Sequence, residues 1–349
     1  MRLDEPGWWY GPGGTVQARL LSPAAHLWGW IAERRFVNAA PAQVALPVIC
    51  IGNFTAGGTG KTPLSLAIAG ILRQHGRNPT FLTRGYGGKL AGPHWVDADR
   101  DSAADAGDEP LLLARRAPVM LARDRAAGAR AIAASAAAGF VIIMDDGLQN
   151  PALRKDMTIA VVDGRRGIGN GRVIPAGPLR APLIAQLARV DVIVINQPAG
   201  GNSSTDTGST IGEWFRQRFA GPVLEARTVV AGETASLREK PVLAFAAIGA
   251  PGRFFDLLRA LGATVVREVA FPDHHPFTAT EVRQLLDAAR QTGAQLVTTE
   301  KDAVRLGAHP ELGAAVRTVP IRIAFAPPEQ ARLDAMLVAM LARHAAAAG

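Results

Sequence analysis

The feature that most constrains this chain is an apolar segment that runs directly into a glycine-rich turn. Residues 47–63 read PVICIGNFTAGGTGKTP. Gly57, Gly58 and Gly60 let backbone N–H groups converge on an anion without interference from a Cβ atom. A helix expected to begin near Lys61 adds the positive end of its dipole. A strand, a turn of this composition and a helix together predict a phosphate-binding loop.

The end of this turn carries the side chains that a nucleoside triphosphate requires. Lys61 can reach the β- and γ-phosphates, and the Thr62 hydroxyl can ligate Mg²⁺. The generic pattern has glycine six residues before the lysine, where this chain has Thr55. A glycine-rich hairpin beside a core strand is the alternative, but the apolar helix pattern that follows favours the phosphate loop. The residues expected to hold the nucleotide are Thr55, Ala56, Gly57, Gly58, Thr59, Gly60, Lys61 and Thr62.

Composition restricts the class of protein. The chain has 349 residues, and 48% of them are hydrophobic, which is enough for one large or two smaller buried cores. The single cysteine, Cys50, excludes a disulfide framework and makes a cysteine-based metal site improbable. A formal net charge of +8 favours anionic partners such as phosphorylated substrates, acidic lipid surfaces or nucleic acid, although a GC-rich genome, whose codons favour arginine, explains much of the same excess. We find no secretory signal and no apolar window that could span a bilayer, so we expect a cytoplasmic protein that is soluble or attached to a membrane face.

Apolar runs recur at the spacing of alternating strands and helices. This alternation predicts an α/β fold of the P-loop NTPase type, with a mostly parallel sheet and helices on both faces. Ligands of such sheets bind outside the carboxyl ends of the strands, where the glycine-rich turn would lie. We predict strands at 47–51, 80–83, 118–121, 140–144, 158–162 and 191–196, with helices at 62–74, 109–116, 124–138 and 181–188.

A second α/β segment follows a stretch at 197–210 that is rich in glycine, serine and threonine and predicts a loop. The segment predicts a smaller C-terminal domain, so we expect the chain to divide into 1–46, 47–225 and 226–349. Its predicted strands are 241–247, 263–268, 295–299 and a strand near 317–325, and its predicted helices are 251–261, 279–291 and 328–345.

The N-terminal segment has a separate pattern. Residues 15–35 carry apolar side chains mostly at helical spacing, and they end in Arg34 and Arg35. Trp28 and Trp30 beside a basic end suit a helix at a lipid headgroup boundary. A helix packed on its own domain fits the same pattern.

Two carboxylates follow the apolar run at 140–144. Asp145 and Asp146 must both project at the carboxyl end of that strand, where P-loop enzymes place an acid that organises Mg²⁺. The alternative is an acidic turn that caps the next element.

Further polar residues lie at the ends of predicted elements. Asp108 opens a helix, where it can accept the proton of an alcohol or cap the helix. His274 lies between two prolines beside Asp273 and can orient or tune a base, or belong to a polar turn. Arg84 and Arg180 lie in loops rich in glycine or proline, where substrate contacts collect and a guanidinium can clamp a phosphate.

The segment Thr298–Asp302 could read a nucleotide base, but its spacing is not that of GTPases.

In combination, these motifs resemble the tetraacyldisaccharide 4′-kinase family of lipid A biosynthesis. The resemblance covers nearly the whole chain in order. The family also lacks glycine at the position of Thr55, and it usually has glutamate where this chain has Ala181, so any role of that glutamate is in doubt here. The resemblance rests on the segments 47–63, Arg84–Gly87, Gly107–Glu109, Asp145–Gln149, Pro175–Arg180, Asp273–His274 and Thr299–Asp302.

The resemblance implies a kinase that uses ATP and Mg²⁺ to phosphorylate the 4′-hydroxyl of a tetraacylated glucosamine disaccharide 1-phosphate, giving lipid IVA. It also implies attachment to the cytoplasmic face of the inner membrane through the N-terminal helix. The roles carried over are phosphate and metal binding by Lys61 and Thr62, a metal ligand in Asp145, catalysis by Lys61 and Asp146, proton acceptance by Asp108 with His274, and substrate binding by Arg84 and Arg180.

Three alternatives have other functions. One is a P-loop kinase of a soluble small molecule, against which the tryptophan-rich N-terminus argues. Another is a P-loop GTPase or metal-insertion chaperone, against which the missing base-reading motif and metal ligands argue. The third is a nucleic-acid-binding protein, which only the net charge suggests. We find no nucleic-acid recognition motif and expect no nucleic-acid partner. The sequence makes no prediction of oligomeric state.

Overall fold

The middle strand of a large sheet is the strand that leads into the glycine-rich turn. The computed structural model describes residues 5–11, 15–135, 139–197, 207–232, 237–238 and 240–348. Its strands are β1 Val48–Gly52, β2 Asn78–Thr83, β3 His94–Trp95, β4 Val119–Leu121, β5 Phe140–Asp145, β6 Met157–Asp163, β7 Val192–Gln197, β8 Val223–Val230, β9 Val242–Ala246, β10 Val265–Ala270, β11 Gln295–Thr299, β12 Val316–Val319 and β13 Ile321–Phe325.

The helices lie between and after these strands. They are α1 Val16–Leu20, α2 Ser22–Val37, α3 Lys61–Gln74, α4 Ala103–Ala106, α5 Asp108–Ala114, α6 Arg125–Ser135, α7 Leu183–Leu187, α8 Thr207–Arg216, α9 Pro251–Ala260, α10 Ala279–Thr292, α11 Glu300–Arg305, α12 Pro310–Ala315 and α13 Pro327–Ala348. Within the described ranges, no helix combines the length and apolar composition that crossing a membrane requires.

Among the described residues, nine strands pair in the order β13-β8-β7-β6-β1-β5-β2-β4-β3. The pairs from β8 to β4 are parallel, and the two edge strands β3 and β13 are antiparallel to their neighbours. The carboxyl ends of β1, β5 and β6 therefore meet at one edge, which confirms the predicted parallel α/β sheet and places the glycine-rich turn at that edge.

Both faces of this sheet are covered, because successive residues of a strand point to opposite faces. Ile49 and Ile51 of β1 share a core with apolar side chains of α3 and α13. Val48 and Cys50 share a core on the other face with Ile132 of α6. The near-continuous apolar run of β1 is the pattern of a strand buried on both faces.

A second, parallel sheet of four strands has the order β10-β9-β11-β12 in the described part of the chain. Helices α9 and α10 cover it through separate apolar clusters that contain Phe255 and Leu285 respectively. This sheet is the predicted smaller α/β unit.

The predicted elements agree with the structure to within three residues at their ends, apart from two corrections. The predicted loop 197–210 is wrong at its end, because α8 begins at Thr207; residues 198–206, like the predicted helix end at 136–138, lie outside the described residues. The predicted single strand near 317–325 is two strands separated by Pro320, and they belong to different sheets. Proline has no N–H for a sheet ladder, which accounts for the break.

The expected division of the chain at residues 225 and 226 does not follow the strand pairing. Strand β8 runs across that point within the large sheet, and β13 pairs with it antiparallel. Helix α13 packs on the large sheet through Leu333 and Leu337. We propose instead that the smaller unit spans 241–319 and that the chain enters and leaves it beside β8 and β13.

Candidate active site at the carboxyl edge of the large sheet

The glycine-rich turn between β1 and α3 has the backbone geometry of a phosphate cradle. Gly57 and Gly60 have φ angles of 93° and 100°, a region that side chains disfavour. A Cβ atom on Gly60 would lie 2.5 Å from Asn196 Nδ2. That amide donates to the carbonyl of Thr59 at 3.1 Å, so the close approach also fixes the turn. Glycine at position 60 is therefore required by the packing and by the dihedral angle.

Polar atoms inside this turn are left without partners among the described residues. Thr59 Oγ1 and Asn53 Oδ1 are both buried and form no hydrogen bond. The Asn53 amide meanwhile donates to the carbonyls of Thr55 at 2.7 Å and Gly57 at 3.3 Å, which holds the turn open. Buried polar atoms without partners are uncommon and indicate a place where a polar ligand completes the hydrogen bonding.

The loop that contains Arg180 braces the cradle from outside. The carbonyl of Pro178 accepts from Ala56 N–H at 2.8 Å, and Arg180 N–H donates to the carbonyl of Phe54 at 2.9 Å. The Arg180 side chain then donates from Nε to the carbonyl of Thr55 at 3.0 Å. These bonds place the guanidinium beside the phosphate loop.

Asp145 and Asp146 end β5 next to the cradle, as predicted from their position after an apolar strand. Asp145 is 1% exposed, and its Oδ1 accepts a hydrogen bond from the Ser65 hydroxyl at 2.8 Å. Asp146 has a φ of 50°, which turns its side chain toward Arg180 at 2.7 Å and Lys61 Nζ at 3.8 Å. The structure thus brings the predicted lysine, arginine and second acid together.

These two carboxyl groups have different electrostatic surroundings. Burial, together with the negative charges of Glu109 and Asp146, raises the pKa of Asp145 to about 7. Burial also acts to raise the pKa of Asp146, but the charges of Lys61 and Arg180 outweigh it and hold that pKa well below its usual range.

The carboxylate oxygens of Asp145 and Asp146 are the kind of ligand that Mg²⁺ prefers. Mg²⁺ takes oxygen ligands and is usually held by one or two carboxylates with substrate phosphates and water. Burial and then neighbouring negative charge raise the pKa of Asp145, and a divalent cation would neutralise that charge. The Thr62 hydroxyl, at the start of α3, is the other predicted ligand. No cluster of three or more His, Cys, Asp or Glu ligands is found in the described ranges, so a complete protein cage is not present there.

Asp108 and His274, 166 residues apart in the chain, are in contact. His274 Nδ1 lies 2.6 Å from Asp108 Oδ2, and both side chains are mostly buried. Asp108 is the first residue of α5, where Gly107 is the N-cap and no side chain caps the helix. The capping alternative for Asp108 is therefore wrong. Burial acts to raise the pKa of Asp108, but the hydrogen bond with His274 and the nearby positive charges lower it overall.

The segment Thr298–Asp302 contributes to this contact. Lys301 Nζ lies 3.3 Å from His274 Nε2, 3.7 Å from Glu109 and 3.8 Å from Asp273. Glu109 also contributes to the raised pKa of Asp145. Residues 108 and 109 therefore connect the His274 contact to the acid pair at the cradle.

Two further arginines lie close to each other, and the sequence predicts a role for only one of them. Arg84 was predicted to bind substrate; it is exposed at the end of β2, close enough to Arg125 for the like charges to interact. Arg125 was missed, although it is 3% exposed and its Nε has no partner in the described residues. Burial lowers the pKa of Arg125 to about 10, even with Asp145 and Asp146 nearby. Its signal in the sequence was an arginine at the start of a helix that follows a short apolar strand.

The N-terminal segment also touches the cradle, which the sequence did not predict. A Cβ atom on Gly57 would lie only 1.8 Å from Glu5 Oε1, so the Glu5 carboxylate lies directly against the turn. The same carboxylate pairs with Arg166 at 2.8 Å and accepts from the Tyr10 hydroxyl at 2.9 Å. Trp9 is buried nearby and donates from Nε1 to the carbonyl of Pro175 at 3.1 Å.

A parallel sheet, a glycine turn leading to Gly60-Lys61-Thr62 and an acid pair at the end of the adjacent strand define a P-loop nucleotide-binding protein. Comparison with known proteins narrows this class. The family model for tetraacyldisaccharide-1-P 4′-kinase, LpxK, matches residues 17–342, and the chain belongs to this family.

Similar proteins include the tetraacyldisaccharide 4′-kinases of Methylobacterium nodulans, 49% identical over 97% of this chain and 96% of that protein, and of Nitrobacter winogradskyi, 47% identical over 98% of each. Among solved structures, an LpxK from Aquifex aeolicus crystallised in complex with ATP matches with a TM-score of 0.73. The match covers 93% of this chain and 99% of the other at 24% identity, so it supports the fold alone.

Proposed function

We propose that this protein transfers the γ-phosphoryl group of ATP to the 4′-hydroxyl of a tetraacylated glucosamine disaccharide 1-phosphate. Membership of the kinase family supports the reaction. The structural observation that carries the proposal is the position of residues 108 and 109: Asp108 contacts His274, while the charge of Glu109 acts on Asp145 beside the cradle. The candidate base and the residue whose charge acts on the acid pair are therefore neighbours in the chain, which supports a single site.

Lys61 is the candidate cation for the β- and γ-phosphates. Its Nζ lies 3.8 Å from Asp146, which holds the ammonium at the end of the cradle. Most of the acceleration in phosphoryl transfer comes from positioning and charge neutralisation, so a fixed ammonium here has a direct role. Thr62, Asp145 and the phosphates would hold Mg²⁺, which when bound neutralises charge that develops on the transferred group.

Asp108 is the candidate acceptor of the proton of the sugar hydroxyl, and His274 is its partner. The lowered pKa of Asp108 keeps the carboxylate ionised and able to accept a proton. The hydrogen bond from His274 Nδ1 at 2.6 Å fixes the orientation of the carboxylate.

Arg180 and Arg84 are the candidate cations for the anionic part of the substrate. Arg180 already joins Asp146 to the cradle backbone, so a bound phosphate would share this guanidinium with the acid. Arg84 is exposed at the same edge of the sheet. Guanidinium groups suit phosphate because their N–H groups match its oxygens in pairs.

The exposed apolar side chains of helices α1 and α2 are the observation that supports attachment to the cytoplasmic face of the inner membrane. The side that packs on the protein uses small residues, with Ala18, Ala25 and Gly29 buried. Large apolar side chains point outward instead, among them Leu20 at 75% and Leu27 at 60% exposure. Contiguous exposed apolar surface beside arginines is typical of an interfacial helix. Trp28 Nε1 donates to the carbonyl of Arg180 at 3.1 Å, which places this surface next to the candidate substrate loop.

The test is incubation of the purified protein with ATP, Mg²⁺ and the acylated disaccharide 1-phosphate in detergent micelles, followed by detection of a new phosphate monoester at the 4′ position. Parallel reactions contain the deacylated disaccharide, GTP in place of ATP, or the Lys61→Ala variant. We expect product with the acylated substrate and ATP and at least ~10²-fold less turnover for Lys61→Ala.

Equal turnover of the deacylated sugar would favour a kinase of soluble substrates. Tighter binding of GTP than ATP without phosphoryl transfer would favour a nucleotide switch instead. Product in the Lys61→Ala reaction equal to that of the unmodified protein would count against Lys61 as the cation for the phosphates.

A further inference from the structure

A buried arginine of the smaller unit reaches the candidate base. Arg305 is the last residue of α11, and its side chain is 6% exposed. Its Nε lies 3.1 Å from Asp108 Oδ2, on α5 beside the large sheet. The angle does not make this contact a hydrogen bond, and Nε has no acceptor among the described residues. A buried N–H without an acceptor opposes stability, so the position of this side chain needs another explanation.

The rest of the guanidinium is fixed by groups of the smaller unit. One terminal nitrogen donates to the carbonyl of His275 at 3.1 Å. The other donates to the carbonyl of Ala247 at 3.1 Å and pairs with Asp302 at 2.9 Å. A planar guanidinium held at several points has little freedom to move, unlike a lysine ammonium on a flexible stem.

Both contacts of Asp108 fall on the same carboxylate oxygen. Oδ2 faces Arg305 Nε at 3.1 Å and His274 Nδ1 at 2.6 Å. No described residue forms a hydrogen bond or ion pair with Oδ1. This oxygen is nevertheless not one of the fully buried atoms without a partner, so it is accessible. Oδ1 is therefore the oxygen that remains available to an acceptor alcohol.

We infer that Arg305 is a positioning residue for phosphoryl transfer: with His274 it occupies Oδ2 of Asp108 and so directs Oδ1 toward the acceptor hydroxyl. This inference rests on the proposed role of Asp108 as the proton acceptor. It adds a residue from the smaller unit whose contact with the base depends on how α11 meets α5. A displacement of about 1 Å in such a group is enough to reduce turnover substantially.

Several charged groups lie near Asp108 or pair with its neighbours, and they affect how a substitution at Arg305 changes the pKa of Asp108. Lys301, Arg305 and Asp302 come from α11, and Asp273 and His274 come from the segment before α10. Glu109 follows Asp108 on its own helix. Loss of the Arg305 cation removes one of the charges that lower the pKa of Asp108, so that pKa rises.

The experiment compares Arg305→Met with the full-length unmodified protein in the acylated-disaccharide assay. We expect kcat to fall at least about tenfold while the KM for ATP is unchanged, because the cradle is not altered. We also expect the acid limb of the kcat/KM profile to move to higher pH by on the order of one unit, since this limb reports the ionisation of the base in the free enzyme. A role in stability alone would lower the melting temperature without moving the limb.

Two further variants protect the test against a failure to fold. Arg305→Lys keeps a cation but loses the planar contacts; we expect its acid limb to return to the position of the unmodified protein and its kcat to lie between the two. The double variant Arg305→Met/Asp302→Asn removes the buried charge pair together; it should reproduce the fall in kcat of Arg305→Met, with a smaller shift of the acid limb because the negative charge of Asp302 is removed as well.

Arg116→Met is the matched control. Arg116 pairs with Glu300 at 3.3 Å, so it also joins the region after α5 to α11, but its side chain is exposed and it follows the end of α5, whereas Asp108 begins that helix. We expect the kcat and pH profile of this variant to match those of the unmodified protein. An unmoved acid limb with unchanged kcat in Arg305→Met, or an unchanged kcat in the double variant, would overturn the inference. Since these comparisons use an active enzyme, such a result is distinct from failure of the proposed function, which would leave the unmodified protein itself inactive.

Discussion

Asp145 and Asp146 are consecutive residues whose carboxyl groups have pKa values displaced in opposite directions. Asp145 ends β5 inside the protein and lies beside Glu109 and Asp146, so its pKa rises to about 7. Asp146 turns outward with a φ of 50° and meets Lys61 and Arg180, so its pKa falls. Asp146 is thus an anion paired with two cations, whereas Asp145 is the acid whose proton a metal ion would displace in the proposed site.

The first prediction concerns the pH dependence of Mg²⁺ binding. With a pKa of about 7 for Asp145, bound Mg²⁺ must displace a proton below neutrality. We therefore expect Mg²⁺ affinity, measured by calorimetry with an unhydrolysable ATP analogue, to be about tenfold weaker at pH 6 than at pH 8. Asp145→Asn should bind Mg²⁺ weakly with little dependence on pH; an equal pH dependence in this variant would contradict the assignment.

The same pKa predicts the stability of the metal-free protein. An unfolded aspartate loses its proton near pH 4, whereas folded Asp145 retains it up to about pH 7. Because the folded state binds more protons in this interval, the contribution of Asp145 to stability is lost as pH rises from about 4 to about 7. Denaturant unfolding with and without Mg²⁺ checks this, and Asp145→Asn should lose that part of the dependence.

The second prediction concerns Lys61. Lys61→Ala should lower kcat/KM by at least ~10²-fold, because one preorganised charge contact to the phosphates is lost. Steady-state kinetics measures the effect, and Lys240→Ala, at an exposed lysine before β9, is the control. Near-normal turnover in Lys61→Ala would count against the cradle assignment.

The third prediction separates the candidate base from nucleotide binding. Asp108→Ala should reduce kcat by at least ~10²-fold while ATP affinity is retained, since general-base catalysis contributes on that order. Asp105→Ala removes a nearby carboxylate that pairs with Ser102 and should leave kcat unchanged. Loss of ATP affinity in Asp108→Ala would make this residue a part of the nucleotide site or of the fold.

The fourth prediction concerns the backbone of the cradle. Gly60→Ala should weaken binding of ATP, because a Cβ at a φ of 100° is strained and would lie 2.5 Å from Asn196 Nδ2. Gly70→Ala is the matched control within α3, where a Cβ meets no atom within 4 Å. That variant should be more stable by about 0.5–1 kcal/mol, the helix preference of alanine over glycine. Equal ATP affinity in both variants would contradict the proposed role of Gly60.

The fifth prediction concerns membrane contact. Replacing Leu20 and Leu27 with serine should reduce sedimentation with anionic phospholipid vesicles, because these side chains are 75% and 60% exposed and would be buried in the interface. The control changes Val266 and Val338, exposed apolar residues in the smaller unit and on α13, to serine. Equal vesicle binding by both double variants would place the membrane contact elsewhere or remove it.

Local patterns in the sequence identified most of the site. The strand–turn–helix at 47–74 and the acids at the end of β5 were readable because each is a continuous segment with its own periodicity and turn chemistry. In the same way, buried apolar runs predicted the parallel sheet. Two errors in the predicted elements had local causes: polar composition concealed the start of α8, and Pro320 separated two strands that read as one.

The sequence by itself determined the phosphate cradle, the acid pair and the class of fold, because these depend on neighbouring residues and on backbone conformations that specific residues permit. Only the tertiary structure decided that Asp108 meets His274 across 166 residues, that Arg305 shares the same oxygen, and that Arg125 is buried beside the acids. These contacts join separate elements, and no local propensity encodes which distant side chains the packing of two sheets will bring within hydrogen-bonding distance.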